Sequence, residues 1–333
     1  MVWTFWLVLM INGNHWSLFM EKWYMTITMV FGSFIAGATS EGGGAVAFPV
    51  MTLLFKIDPA VARDFSLMIQ AVGMMAAAFT IMCMRIPVVV PAIIFAGLGG
   101  AVGITFGLDV VSPLLPPAFT KILFTSVWLS FAAALYWINR AGERELFQRL
   151  PQFGPSQALV LFLVGTVGGM ISGITGSGLD ILTFSVLVLG LKIDERVATP
   201  TSVVLMGMNA LFGFLWKGGL GAGMPAAAWE YWYVCVPVVV IGAPMGAWFI
   251  SRRSRKLVVN FLYISIFIQY IAALIILPHS TDLTLFSAAI VLGGVLGFRL
   301  MSMYGDRFNL RIPNKIKQQA AKIPSRIENI VVD

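Results

Sequence analysis

The chain has 333 residues, of which 59% are hydrophobic and 11% charged, and a mean hydropathy of +0.88. A water-soluble domain carries about 25% charged residues, so this composition excludes a soluble enzyme or binding module and indicates an integral membrane protein. The net charge is +7, but from Arg299 onward seven basic residues face only Asp306, Glu328 and Asp333, so most of the excess is a C-terminal tail that favours the cytoplasmic side and anionic lipid and needs no nucleic acid to explain it.

In chain order, residues 1–22 are apolar but broken by Asn12, Gly13, Asn14 and His15 and lack a basic leader, so they read as an anchor or interfacial segment and not as a cleaved signal. Apolar stretches follow at 23–55, 60–84, 86–108 and 113–138. After a loop with Arg140, Arg144 and Arg149 come 157–191, 197–216, 225–250, 257–277 and 283–303. Stretches of about 20 residues cross the hydrocarbon as helices, and the period-two alternation of a barrel is missing. The predicted fold is an all-α polytopic helical membrane protein. Its divisions are the anchor 1–22, a first repeat 23–140, a basic cytoplasmic loop 141–156, a second repeat 157–277, an extra transmembrane helix 278–303 and a basic cytoplasmic tail 304–333. Cys83 and Cys235 lie inside apolar runs and read as packing residues.

The stretches 23–55 and 157–191 exceed what one helix needs at about 1.5 Å per residue, and each carries a glycine-rich interruption: "GATSEGGG" at 37–44 and "GITGSGLD" at 173–180. Arg140, Arg144 and Arg149, then Arg252, Arg253, Arg255 and Lys256, then the tail, should all face the cytoplasm. Between the first two loops lie two ordinary spans and the stretch 157–191, which must therefore cross twice or not at all, as a helical hairpin or a re-entrant pair of half-helices.

The chain also repeats. A shift of 136 residues aligns Gly32–Gly73 with Gly168–Asn209, with 14 identities in about 42 positions that include "KID" at 56 and at 192. Further on, "GGAVG" (99–103) answers "GAPMG" (242–246), both patterns that let helices approach closely. With three ordinary spans between the two broken stretches, the copies are predicted to be inverted, each a broken hairpin plus about three transmembrane helices, as in many secondary transporters.

Non-helical backbone survives at membrane depth only when buried in protein or lining a wet cavity. Each break precedes a half-helix whose first N–H groups and positive dipole end suit an anion. The candidate binding residues are Thr39, Ser40, Gly42, Gly43 and Gly44 in the first break and Thr175, Gly176, Ser177 and Gly178 in the second. The alternative for either break is close packing by glycine with Ser and Thr as caps. Glu41 and Asp180 are ionisable groups inside membrane segments and are assigned coupling or gating by a proton or sodium ion, or else carboxylate capping. Arg63, Arg196 and Lys121 lie near span ends, either as charge partners or snorkelling to the interface. Asp58 and Asp194 read as helix-start carboxylates, and Gln70, Asn209 and Gln269 as cavity-lining amides or bonds across helices.

"GSFIAGATSEGGGAVAFPVMTLLFKIDPAVA" and "GGMISGITGSGLDILTFSVLVLGLKIDERVATPTSVV" resemble the two repeats of the TauE/SafE sulfite-exporter family, over about residues 25–300. Gly42, Gly43, Gly44 and Pro49 match its first glycine motif, Gly173, Gly176 and Gly178 its second, and Thr201 and Ser202 its Thr-Ser signature. The chain departs from the pattern with "GLD" closing the second triplet, Ser185 for a proline, and "RDFS" in place of the first Thr-Ser pair. The resemblance implies a multi-pass plasma-membrane carrier, an exporter of sulfite or organosulfonate-type anions with its C-terminus cytoplasmic, and adds Thr201 and Ser202 to the binding residues. It implies no cofactor, metal or enzyme activity; the partners are a small anion, the bilayer and a coupling proton or sodium ion. A passive anion channel and an intramembrane hydrolase built on Ser177 or the two carboxylates are the alternatives, the second without a base beside the serine and with its only histidines, His15 and His279, near membrane edges.

Overall fold

The structure is a computed structural model that describes residues 2–39, 44–140, 146–151, 153–251, 255–277 and 280–311. The described residues form thirteen α-helices, and the one bridge of strand type among them joins Phe147 to Ile193. The helices are α1 Val2–Asn12, α2 Leu18–Glu21, α3 Trp23–Ala38, α4 Gly44–Pro49, α5 Pro59–Cys83, α6 Val90–Phe106, α7 Pro117–Arg140, α8 Pro155–Thr175, α9 Leu179–Ser185, α10 Glu195–Leu215, α11 Ala226–Ser251, α12 Arg255–Ile276 and α13 Thr281–Arg311. Seven helical stretches, five of them within α5, α7, α8, α11 and α13 and two running from Val90 to Leu114 and from Glu195 to Leu220, are long and apolar enough to cross a membrane. α13 continues to Arg311, past the end expected at 303.

Both over-long stretches divide into two helices, α3 with α4 and α8 with α9, as their glycine breaks predict. The second pair is a hairpin. Gly178 returns against Ile171 and the Leu179 backbone lies on Gly168, so α9 runs back along α8.

The repeated "KID" triplets fold alike. A π turn, Val50–Leu54 or Val186–Gly190, ends each returning arm. Ile57 N–H then bonds the Met51 carbonyl and Ile193 N–H the Leu187 carbonyl, both at 2.9 Å. Lys56 and Lys192 take left-handed φ values of 55° and 56°, uncommon for a residue with a side chain, so the reversal is over-determined by these bonds. Asp58 and Asp194 then cap the next helix, accepting from the N–H of Ala60 and Arg196 at 2.8 Å. In the second copy, Asp194 also accepts from Gln148 at 2.9 Å and pairs with Arg196 at 3.1 Å.

Packing partners exchange between the copies. α3 lies on α11, and its counterpart α8 lies on α6. Both contacts need glycine: a Cβ on Gly37 would collide with the Ala243 carbonyl, on Gly246 with the Phe34 carbonyl, on Gly99 with the Phe162 carbonyl and on Gly103 with the Thr166 carbonyl. The equivalent helices α5 and α10 pack on each other, with Gly213 facing Leu67, Gly207 facing the Met74 backbone, and Val203 and Val204 clustered with Ala77, Ala78 and Ile81, so they run antiparallel. Phe48 and Phe184, one shift of 136 apart, both meet the aromatic face of α7, at Phe124 (5.2 Å between centroids) and Phe131 (5.8 Å). Outside the repeats, α13 packs on α7, and the N-terminal segment is tied to α11 by Trp6 Nε1–H on the Tyr233 carbonyl (2.8 Å) and by His15 stacked on Tyr233. α1 has 11 residues, about half of what a helix needs to cross. Cys235 is buried, whereas Cys83 is exposed at the end of α5 and so does not pack in the interior as expected; both are free thiols.

Asp194 yields a pH-dependent contribution to stability. Burial pushes its carboxyl up, but hydrogen bonds and charge from Arg196 outweigh burial and hold it below the usual carboxylate range. A depressed folded-state value stabilises fully above the unfolded value of about 3.9 and is lost as pH falls through the folded value. The melting-temperature gap between wild type and Asp194→Asn in detergent should therefore shrink between pH 6 and pH 3; a constant gap contradicts the pairing.

Candidate functional site

The second break is the tip of the α8–α9 hairpin, and its chemistry follows from the peptide groups that leave the helices there. Gly176 ends α8 at φ +86° and Gly178 opens α9 at φ +158°, both in the region that favours glycine. Gly176 N–H still bonds the Ser172 carbonyl at 2.7 Å. Leu179 N–H is met by Ser172 Oγ (3.0 Å), Gly178 N–H by Asp180 Oδ1 (2.9 Å) and the Gly176 carbonyl by Gln70 Nε2–H from α5 (2.9 Å). Thr175 Oγ1–H donates to the Ser177 carbonyl at 2.8 Å. The Ser177 hydroxyl lies 3.2 Å from Asp180 Oδ2. Ser172, Thr175, Ser177 and Asp180 are all buried.

Two findings change the reading of these residues. The start of α9 is already occupied by the chain's own Asp180, whose carboxyl takes the Gly178 N–H that an outside ligand would need. Second, Ser177 does have a carboxylate beside it, contrary to the expectation of a serine without a base. Gly176 has a steric reason as well: a Cβ there would sit 2.6 Å from the Ser66 Cβ and 3.0 Å from the Arg63 carbonyl oxygen. The tip of the second repeat is thus lodged against α5 of the first.

The other predicted residues lie elsewhere. Ser40, Glu41, Gly42 and Gly43 fall outside the described residues, flanked by Thr39, buried with its hydroxyl on the Ile35 carbonyl at 2.9 Å, and by Gly44, which opens α4. Thr201 Oγ1 accepts from Val89 N–H (2.9 Å) and donates to the Val197 carbonyl (2.7 Å), joining α10 to the start of α6. Ser202 bonds the Thr199 carbonyl at 2.8 Å. Ser202 is the counterpart, one shift of 136 on, of the Ser66 that touches Gly176. The hydrogen bonds of Thr201 and Ser202 thus run within α10 and to the start of α6.

Of the three candidate charge partners, Arg63 is buried and does not snorkel, Arg196 pairs with Asp194, and Lys121 Nζ donates to the Thr52 carbonyl at 3.0 Å, closing the π turn of the first hairpin. Gln70 bridges α5 to the tip, while its Oε1, Ser33 Oγ, Thr199 Oγ1 and both polar atoms of the Asn209 amide are buried without a hydrogen-bond partner. Ser33 and Gln70 border a cavity of about 10 Å³ between α3, α5 and α11, the size of one water. Gln269 lies on α12, which packs on α7 and, through Ala273, on Leu53 in the π turn of the first hairpin. Sequence reasoning missed Ser172 and the role of Ser66; a serine one turn before a glycine break was the available signal.

The family model described as sulfite exporter TauE/SafE matches residues 25–273, which contain both hairpins. No curated protein and no solved structure matches the chain.

Removing the Gln70 bond should loosen the tip without unfolding the protein. Gln70→Leu loses about 1 kcal/mol at one hydrogen bond, so amide exchange at Gly178 and Leu179 should rise about fivefold while the melting temperature falls only slightly. Exchange unchanged at those amides would mean that the tip is held by packing alone.

Proposed function

The chain belongs to the TauE/SafE sulfite exporter family, transporters that are multi-pass membrane proteins, and on that premise we propose that it is a secondary carrier exporting sulfite or an organosulfonate-type sulfur oxyanion across the plasma membrane. The observation that carries the proposal is the hairpin tip at Gly176–Gly178, non-helical, buried and lodged against α5 of the other repeat. Irregular backbone at such a place is the usual setting of a carrier site.

In this reading the two copies form an inverted repeat, supported by the antiparallel packing of the equivalent helices α5 and α10. The basic loops at 141–156 and 252–256 and the tail face the cytoplasm, and α5 starts on the outer side. The anion is held by Thr175, Gly176, Ser177 and Gly178 in one half and by Thr39, Ser40, Gly42, Gly43 and Gly44 in the other, with Ser202 facing the first break as Ser66 faces the second and Thr201 joining α10 to α6 beside it. Asp180, and Glu41 at the matching break, are the coupling groups: a proton on Asp180 frees the N–H groups of α9 for the incoming oxyanion, and its loss expels the anion. The unpaired oxygens and amide of Ser33, Gln70, Thr199 and Asn209 lie on helices that the carrier moves, where water reaches them in the alternate state.

A closed, hydrogen-bonded tip favours a carrier over an open anion channel. In proteoliposomes, radiolabelled sulfite uptake should saturate and be accelerated by sulfite on the opposite side, neither of which a pore shows. Ser177→Ala should lower uptake about tenfold, the worth of one charge-assisted hydrogen bond. Asp180→Asn, which can still cap, should transport with a flattened pH dependence. Unchanged pH and sodium dependence in both Asp180→Asn and Glu41→Gln removes the coupling assignment.

A further inference from the structure

Beside the hairpin tip lies a buried charge cluster. Arg63 and Asp64 stand in the second turn of α5 with 6% and 2% of their side chains exposed, and Lys217, 15% exposed, stands in the π turn Trp216–Leu220 that ends α10. Arg63 Nε–H and Nη2–H both reach Asp64 Oδ1 at 2.8 Å, Lys217 Nζ donates to Asp64 Oδ2, and Arg63 Nη1–H donates to Ser112 Oγ beyond the end of α6. A buried guanidinium and a half-buried ammonium thus share one carboxylate. The neighbouring acid, Asp109, is exposed and accepts from Trp216 Nε1–H at 2.9 Å.

Burying a pair of charges already costs desolvation, and the second cation shares its carboxylate, with only the exposed and solvent-screened Asp109 as a further acid acting on Lys217. A static tie between α5 and α10 needs one cation, so the other asks for an anion. A guanidinium fork and an ammonium on either side of a carboxylate are also the geometry that takes an oxyanion with two or three oxygens on one centre. The place is suggestive in the same way, because the Arg63 backbone is what Gly176 packs against.

We propose that Arg63 and Lys217 form a docking site for a small oxyanion at the end of the bundle where α5 begins and α10 ends, with Asp64 as the resident carboxylate that holds the site closed until an anion replaces it on Lys217. Exchange at Lys217, the more exposed cation, releases α10 from α5, while Asp64 stays on Arg63. The site rests on the carrier reading for the anion's purpose but not for its binding.

The test reads stability and needs no transport. Asp64→Asn keeps the shape and leaves two cations without their carboxylate, so its melting temperature in detergent should fall and then recover by at least about 5 °C with roughly 10 mM methanesulfonate or sulfite, compared with chloride at equal ionic strength. Wild type, whose own carboxylate competes, should need about tenfold more anion for its rise, and Asp64→Asn with Lys217→Gln should lose most of the recovery. No recovery beyond chloride, or a recovery undiminished by Lys217→Gln, overturns the site. Should Asp64→Asn fail to fold, Lys217→Gln alone decides: it retains the Arg63–Asp64 pair and should abolish the oxyanion-induced rise of wild type, and either an undiminished rise or a wild type without one overturns the proposal. Recovery by methanesulfonate in a protein that moves no sulfite upholds the site and sinks the carrier reading; sulfite transport without recovery does the reverse.

Discussion

A peptide group that leaves a helix inside an apolar environment must find a partner, because no water is there to supply one. At Gly176–Gly178 each exposed group finds its own: the Gly176 carbonyl takes Gln70, Gly178 N–H takes Asp180 and Leu179 N–H takes Ser172. The rest of the site follows from these three bonds. They allow α8 to stop and the chain to turn back, they place a carboxylate in the interior where it would otherwise be costly, and they draw α5 of the first repeat onto the tip of the second. Asp180 is held there by the Gly178 N–H and the Ser177 hydroxyl.

The second constraint is the weakness of hydrophobic attraction between helices already in lipid, which leaves close packing to hold them. Gly37 of α3, Gly99 and Gly103 of α6, Gly165 and Gly169 of α8 and Gly246 of α11 serve that purpose, each set against a carbonyl of a neighbouring helix. Because the sets recur in both copies, α3 meets α11 as α8 meets α6, and α5 and α10 are left to cross between the two pairs. Both hairpins return onto α7 through Phe48 and Phe184, so one helix outside the crossing supports the two breaks together.

Charge is handled differently at each end of the fold. Asp194 at a helix start has Arg196 and Gln148 at the edge of the bundle, a low-cost arrangement because Arg196 stays near water. Asp64, nearly two turns deeper in the other copy, carries two cations, beside the place where the second tip is seated.

The sequence by itself determined the helical membrane class, the division of both over-long stretches into two helices, the 136-residue repeat and the cap role of Asp58 and Asp194. Each of these is written in local periodicity, composition or a short repeated string, and "KID" folds the same way twice because the bonds that shape it lie within a few residues. Only the tertiary structure decided that Arg63 is buried and not snorkelling, that Asp180 fills the start of α9, and that Thr201 bonds the start of α6. Gln70 and Gly176 are 106 residues apart and Asp64 and Lys217 are 153 apart, and no local signal records which helices meet. An arginine near a span end looks the same in sequence whether its neighbours are lipid headgroups or a carboxylate and a second cation, and packing alone tells the two apart.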